Sequence, residues 1–304
     1  MNFAITGVAG YIAPRHLKAI KETGHNLVAA LDPHDSVGLL DSYFPDASFF
    51  VEFERFERHL DLLHRKSESE RVHFLSICSP NFLHDSHIRL ALRIGADAIC
   101  EKPLVLNPWN LDALETVEKE TGRKVYTVLQ LRTHPSIIEL KRKVDTAIKS
   151  QPDKKFDISL DYITSRGLWY DFSWKGSLEK SGGVATNIGI HFFDMLIWIF
   201  GHPIHSRLIE NNRRAMQGEL ELRNAFVKWN LSINYDDLPE SVKSAGKRTY
   251  RSIKIDGEEL EFTEGFTDLH TVVYRDILDG KGYGIYDARP SIELAYKIRN
   301  GIEF

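Results

Sequence analysis

The first 130 residues alternate short runs of β-favouring residues with stretches whose apolar residues recur three and four apart. A chain with that alternation is expected to build a parallel sheet whose strands are joined by helical crossovers. Strands are predicted at 2–6, 26–31, 72–78, 97–100 and 124–129, and helices at 15–23, 53–66, 82–94 and 111–121. Gly24, Gly95 and Gly122 each follow a predicted helix, where a left-handed terminal residue is needed and glycine adopts it without a Cβ penalty.

After Leu131 the pattern changes to one helix at 136–150 and then long alternating segments at 156–164, 207–213, 220–234 and 248–256. Alternation of that length means strands with one face covered and one open, so the second half is expected to form a large, mostly antiparallel open sheet. The apolar helix ending at Trp198–Phe200 is the candidate cover for the closed face. No Pro/Ser linker separates the halves, which places the boundary near 130–134, with domains at 1–130 and 131–304. The last helices, predicted at 268–279 and 288–299, return either across the sheet or onto the first domain. The fold class is therefore α/β, a Rossmann-type domain followed by an α+β domain.

The charge balance, 39 basic against 43 acidic residues for a net −4, leaves no basic cluster of the kind that tracks a phosphate backbone, so no nucleic-acid partner is expected. The opening MNFAITGVAG lacks the features of a secretory leader, and a cytoplasmic location is the expectation. The apolar pattern around 188–200 carries His191 and Asp194 and is shorter than the roughly 20 residues a membrane span needs, so no membrane association is expected. Cys78 and Cys100 lie in apolar strand-like runs and read as buried thiols. Thirteen histidines show no His-Glu-x-x-His, and His84 with His87 has the wrong spacing for two ligands on successive helical turns, so no metal is assigned.

Strand FAIT runs directly into Gly7-Val8-Ala9-Gly10-Tyr11-Ile12-Ala13 and then a helix. This is the context in which a glycine turn lets backbone N–H groups approach a pyrophosphate at a helix N-terminus. The pattern is Gly-x-x-Gly-x-x-Ala, with Ala9 at the position usually held by the second glycine. Asp32 ends the second strand 25 residues beyond Gly7, where a carboxylate can accept from both ribose hydroxyls. No arginine adjoins it to balance a 2′-phosphate, which favours NAD.

Cys78-Ser79-Pro80-Asn81-Phe82-Leu83-His84, followed by Glu101-Lys102-Pro103, resembles the Gfo/Idh/MocA dehydrogenases. Ser181-Gly182-Gly183-Val184-Ala185-Thr186-Asn187-Ile188-Gly189-Ile190-His191-Phe192-Phe193-Asp194 resembles that family's second motif, in the right order. The resemblance implies NAD held by Gly7, Ala9, Gly10, Tyr11, Ile12, Asp32, Ser79, Pro80, Asn81, His84, Glu101, Lys102 and Gln130. It also implies an active-site lysine, Lys102, before a cis proline. Independently of the family, a lysine at the carboxyl end of a parallel strand sits where ligands bind, and can stabilise a developing alkoxide or accept a hydroxyl proton. His191, four residues after Asn187, is a second proton-transfer candidate on the same helical face. Asn187 replaces the family's usual Asp; an amide orients a ligand but does not titrate.

The opening run Gly7-Val8-Ala9-Gly10-Tyr11-Ile12-Ala13-Pro14-Arg15-His16 and further segments, Gln130-Leu131-Arg132-Thr133-His134-Pro135, Ser165-Arg166-Gly167-Leu168-Trp169-Tyr170, Ser173-Trp174-Lys175-Gly176, Leu269-His270 and Asp287-Ala288-Arg289-Pro290-Ser291, are similar to those of UDP-N-acetylglucosaminuronate 3-dehydrogenases. That likeness implies oxidation of a sugar C3 hydroxyl on the way to lipopolysaccharide O-antigen, with 2-oxoglutarate reoxidising the cofactor, and a homodimer or homotetramer. A UDP-sugar uronic acid carries a diphosphate and a carboxylate, for which Lys102, Arg132, Arg166, Lys175 and Arg289 are candidate cations; Trp169, Tyr170 and Trp174 offer flat faces to uracil or sugar. Two competing readings are an extended short-chain epimerase, whose Tyr-x-x-x-Lys could only be Tyr250-to-Lys254, and a non-catalytic sensor on the same scaffold.

Overall fold

The computed structural model describes residues 1–260 and 268–304. It divides into two compact units: the first holds 1–130 together with the described residues 268–289, the second holds 131–260 and 290–304. The helix Leu269–Leu278 therefore belongs to the first unit, although it starts 138 positions after Leu131.

The first unit is built on six parallel strands, β1 (Asn2–Thr6), β2 (Asn26–Leu31), β3 (Ser48–Phe50), β4 (Phe74–Ile77), β5 (Asp97–Cys100) and β6 (Val125–Thr127), in the order β3-β2-β1-β4-β5-β6. Strands buried on both faces read as continuous apolar runs, and β1, β4 and β5 do so. The helices Ala13–Glu22, Phe53–Lys66, His84–Arg93 and Pro108–Thr121 supply the crossovers. Gly24, Gly95 and Gly122 all have positive φ, between 67° and 76°, as their place after a helix required. The short β3 was not anticipated: Ser48-Phe49-Phe50 is too brief for an alternation to register.

The second unit contains β7 (Phe156–Thr164), β8 (Pro203–Asn211), β9 (Ala215–Leu222), β10 (Ala225–Ser232), β11 (Thr249–Ile255) and β12 (Glu258–Glu259), ordered β12-β11-β7-β10-β9-β8. Every pairing is antiparallel except β7 with β10. The alternating segment 220–234 is two strands and not one. β9 and β10 turn at Arg223-Asn224, which has neither Gly nor Pro; Asn224 is instead pinned by donating its amide to the carbonyls of Pro152 and Lys154.

One face of this sheet is covered by the helix Ile190–Phe200, with Phe193 edge-on to Trp229 at 5.4 Å and Phe200 against Phe156 at 5.5 Å. Gly189 permits that approach, because a Cβ there would lie 2.6 Å from a methyl of Leu231. The helical run is longer than the sequence suggested: Leu178–Phe200 is long and apolar enough on length and composition to cross a membrane. Within the fold it is a core helix, 78% buried over its most apolar window, and it is interrupted by left-handed backbone at Gly182 and Gly183.

Candidate active site

In the first unit the implicated segments follow β1, β2, β4 and β5 directly, so they gather at the carboxyl ends of the strands. The order reverses between β1 and β4, which is where open α/β sheets bind ligands. Gly7 has φ +78°, and a Cβ on it would sit 2.5 Å from the carbonyl oxygen of Cys78. The turn after β1 is thus pressed against the end of β4 as only glycine allows. Gly7 N–H donates to Leu31 O at 2.8 Å and Gly10 N–H to Gly7 O at 3.0 Å, which folds the turn back before the helix starts at Ala13. Tyr11 is exposed and Ile12 half-buried at this helix N-terminus.

Asp32 Oδ2 accepts from Ala9 N–H at 3.0 Å and Oδ1 from His34 N–H at 2.9 Å. The carboxylate is a turn former and a tie to the glycine turn at once, and its remaining lone pairs are those a ribose hydroxyl would meet. Ala9 at the atypical position supplies that tie through its backbone.

Ser79 and Asn81 are buried in the turn between β4 and the helix at His84, with Pro80 between them. Ser79 Oγ lies 2.9 Å from His87 Nδ1, which also meets Thr6 Oγ1 at 3.0 Å. Burial, and secondarily His84, lower His87 to a pKa of about 4, so the ring is neutral at physiological pH. His84 is buried with Nδ1 2.7 Å from Pro103 O and Nε2 2.9 Å from Ser79 O.

Lys102 follows β5, and its bond to Pro103 is cis, as the family resemblance implied. Glu101 beside it is buried. Its Oε1 accepts from His16 Nε2 at 3.0 Å and His270 Nε2 at 2.9 Å, and its Oε2 from Lys102 N–H at 3.2 Å. Burial raises this carboxyl, but the two histidine hydrogen bonds outweigh it and hold the group well below the usual carboxylate range. Gln130 opens a short helical turn that ends the first unit, and Arg289 pairs with Glu115 and Asp112, each at 2.8 Å.

In the second unit Arg132 is buried in a two-pronged ion pair with Asp194, at 2.9 and 2.7 Å, with its guanidinium 5.8 Å from the Trp198 ring. Its charge is thus directed to a structural partner. Arg166, Trp169, Tyr170, Trp174 and Lys175 cluster after β7. Lys175 Nζ sits 5.4 Å from the Trp169 ring centre and 5.5 Å from that of Trp174. Burial lowers its pKa, and the nearby positive charge of Arg166 adds to this. Such a half-buried pair of like charges flanked by indoles is suited to an anion carried on a flat group.

Asn187 lies in a π-helical turn, Ala185–Gly189, that runs into the helix at Ile190. From Val184 to Phe200 the only residues not buried are Asn187, His191 and Trp198. Asn187 and His191 thus share the accessible side of this element, and Asn187 donates to the Tyr170 hydroxyl at 3.0 Å. Tyr250 and Lys254, the only Tyr-x-x-x-Lys available to an epimerase, lie on β11.

His16 and His270 stood in the sequence only as members of the resembling segments, with no role, and nothing there marked them as partners of Glu101 or marked Ser76 and Tyr274, which extend the network through His16, because the group meets only when the helix Leu269–Leu278 returns to the first unit.

An oxidoreductase-family model for an NAD-binding Rossmann fold matches residues 1–129, and the same family's C-terminal alpha/beta domain matches 154–237. Among solved structures, the WlbA (WbpB) dehydrogenase of Thermus thermophilus in complex with NAD and UDP-GlcNAcA is 53% identical, at TM-score 0.92, over 98% of this chain and 94% of that one. Its complex with NAD and alpha-ketoglutarate gives 54% identity over the same shares at TM-score 0.93. A 2,7-anhydro-N-acetylneuraminate hydratase of Mediterraneibacter gnavus is 25% identical over the full chain and 84% of its own length. With both domain models matched in order and a relative of more than half identity spanning nearly all of it, the chain belongs to the Gfo/Idh/MocA oxidoreductase family.

Proposed function

We propose that this protein is an NAD-dependent nucleotide-sugar dehydrogenase that oxidises the C3 hydroxyl of UDP-N-acetylglucosaminuronic acid to a ketone, with 2-oxoglutarate as the final oxidant. The observation that carries the reading is the likeness to the Thermus thermophilus dehydrogenase, whose complexes hold NAD with UDP-GlcNAcA and NAD with alpha-ketoglutarate. The residues of the first unit fit the cofactor: a turn in which Gly7 has no room for a Cβ, a helix N-terminus at Ala13, and the buried carboxylate of Asp32. Bound NAD would supply the hydride acceptor.

The chain's own residues then have three tasks. Lys102 is assigned the proton of the C3 hydroxyl, which must leave as the C–H bond gives up its hydride. His191 is the second group able to hold that proton near neutral pH. Asn187 cannot titrate, so it orients the sugar, and its hydrogen bond to Tyr170 fixes the amide for that purpose. Arg166 and Lys175, with Trp169 and Trp174, are assigned to the anionic part of the nucleotide sugar. Reduction of 2-oxoglutarate at the same centre takes up the hydride and one proton and yields 2-hydroxyglutarate, so electrons and protons balance over a full cycle.

The test is to incubate the purified protein with UDP-N-acetylglucosaminuronic acid, with and without NAD and 2-oxoglutarate, reading nicotinamide absorbance and product mass. A product lighter by two hydrogens, with turnover sustained by 2-oxoglutarate, is expected. Tight NAD binding without oxidation would favour a sensor. The open face of the second sheet exposes Phe226, Ile204 and Ile209, and a homodimer or homotetramer through that face is the corresponding expectation for light scattering.

A further inference from the structure

Glu101 is a buried carboxylate of the first unit held well below the usual carboxylate range, and burying such a charge costs several kcal/mol unless hydrogen bonds replace the lost water. Three donors do so: His16 Nε2, His270 Nε2 and the backbone N–H of Lys102. The protons of the network can be assigned from its far end. Ser76 Oγ is 2.6 Å from the Tyr274 hydroxyl, which is 2.7 Å from His16 Nδ1. With Ser76 donating to Tyr274 and Tyr274 to Nδ1, a neutral His16 keeps its proton on Nε2 and donates a hydrogen bond to Glu101 Oε1, with every donor used. Burial favours that neutral form. The rings are held too, His16 edge-on to His270 at 5.0 Å and to Tyr274 at 5.6 Å.

The ligand atoms of His16, Glu101 and His270 are close enough to bracket a cation. Both ring nitrogens, however, lie at hydrogen-bond distance from the same oxygen, so the group is complete as a set of hydrogen bonds. Its other carboxylate oxygen faces the peptide that leads into Lys102. On the far side of the lysine, the Pro103 carbonyl lies 2.7 Å from His84 Nδ1, which donates to it in the Nδ1–H tautomer. The backbone carrying Lys102 is therefore tied at both ends to buried side chains, and one tie runs back to the helix Leu269–Leu278.

We infer that Glu101, fixed by His16 and His270, is a positioning residue for Lys102: its carboxylate sets the peptide from which the lysine projects, and the helix Leu269–Leu278 thereby governs the chemistry of the lysine. The inference rests on the assignment of Lys102 to proton transfer. A misplacement of about 1 Å at a reacting group is enough to cost about 10²-fold in rate. A lysine on a flexible four-carbon stem relies on its backbone for aim.

The test uses the full-length protein with NAD and UDP-N-acetylglucosaminuronic acid. Glu101→Gln keeps the shape but presents an amide to three donors. His270→Leu removes one donor, and His270→Gln restores it, because the Gln amide reaches the place of Nε2. Expected are a fall in kcat of about 10- to 100-fold for Glu101→Gln, with KM and the Kd for NAD within about twofold of wild type. A smaller fall is expected for His270→Leu and recovery of most of it in His270→Gln. A kcat unchanged in Glu101→Gln and His270→Leu, with only Tm lowered, would overturn the inference, as would a loss carried by NAD affinity.

Lys102→Met separates this outcome from failure of the parent assignment. Full turnover in Lys102→Met removes the lysine from the chemistry and the inference with it. An inactive Lys102→Met beside fully active Glu101→Gln and His270→Leu removes positioning alone. Should the wild type not oxidise the sugar, pH-dependent acetylation of Lys102 followed by mass spectrometry decides. A labelling profile altered in Glu101→Gln and His270→Leu and recovered in His270→Gln supports positioning, and identical profiles refute it.

Discussion

His87 stacks on Phe53 at 5.2 Å with rings 10° from parallel, its Nδ1 lies 2.9 Å from the Ser79 hydroxyl and 3.0 Å from that of Thr6, and its burial in the fold favours the neutral ring. Its pKa is about 4 in the native state against an ordinary 6.5. Because the native value is depressed, the unfolded chain binds a proton below pH 6.5 that the native chain refuses. Stability is therefore lost as pH falls from about 6.5 to about 4, and no further loss from this group follows below that. At about 1.4 kcal/mol per pH unit, the full loss is about 3 kcal/mol, of which about 2 kcal/mol has gone by pH 5. His87→Asn keeps an acceptor near the place of Nδ1 but cannot titrate. Urea denaturation at pH 7.5 and pH 5 should show the wild type losing about 2 kcal/mol more than the variant over that interval. Parallel losses, or an NMR titration of the His87 ring with a midpoint near the ordinary value, would refute the reasoning.

Other outcomes follow from the same geometry. Gly7→Ala places a Cβ against Cys78 in left-handed backbone and should cost about 2–5 kcal/mol of stability and most NAD affinity, read by denaturation and by cofactor fluorescence titration. Asp194→Ala removes the two-pronged carboxylate partner of the buried Arg132 guanidinium and should lower stability by about 3–5 kcal/mol in urea; a loss under about 1 kcal/mol would show that the pair contributes little. Asp32→Ser removes the carboxylate at the ribose position and should narrow the preference for NAD over NADP, measured as the ratio of the two Kd values. Lys102→Ala should abolish hydride transfer while leaving NAD affinity within about twofold, whereas His191→Ala should slow turnover by about 10²-fold if it moves the proton.

The sequence alone determined the parallel sheet of the first half, because crossover helices and buried strands write periods of 3.6 and continuous apolar runs into the chain. It also determined where the glycine turn, Asp32 and Lys102 fall, since each directly follows a strand that local patterning makes visible. The mostly antiparallel second sheet was legible from alternation, but the β9–β10 turn was not, because Asn224 makes it by bonding to residues 70 and 72 positions away. Only the tertiary structure decided that Arg132 is paired with Asp194 and that Glu101 faces His16 and His270. Those partners lie 62, 85 and 169 residues apart, and a hydrogen bond between distant residues leaves no period in a sequence for either end to announce.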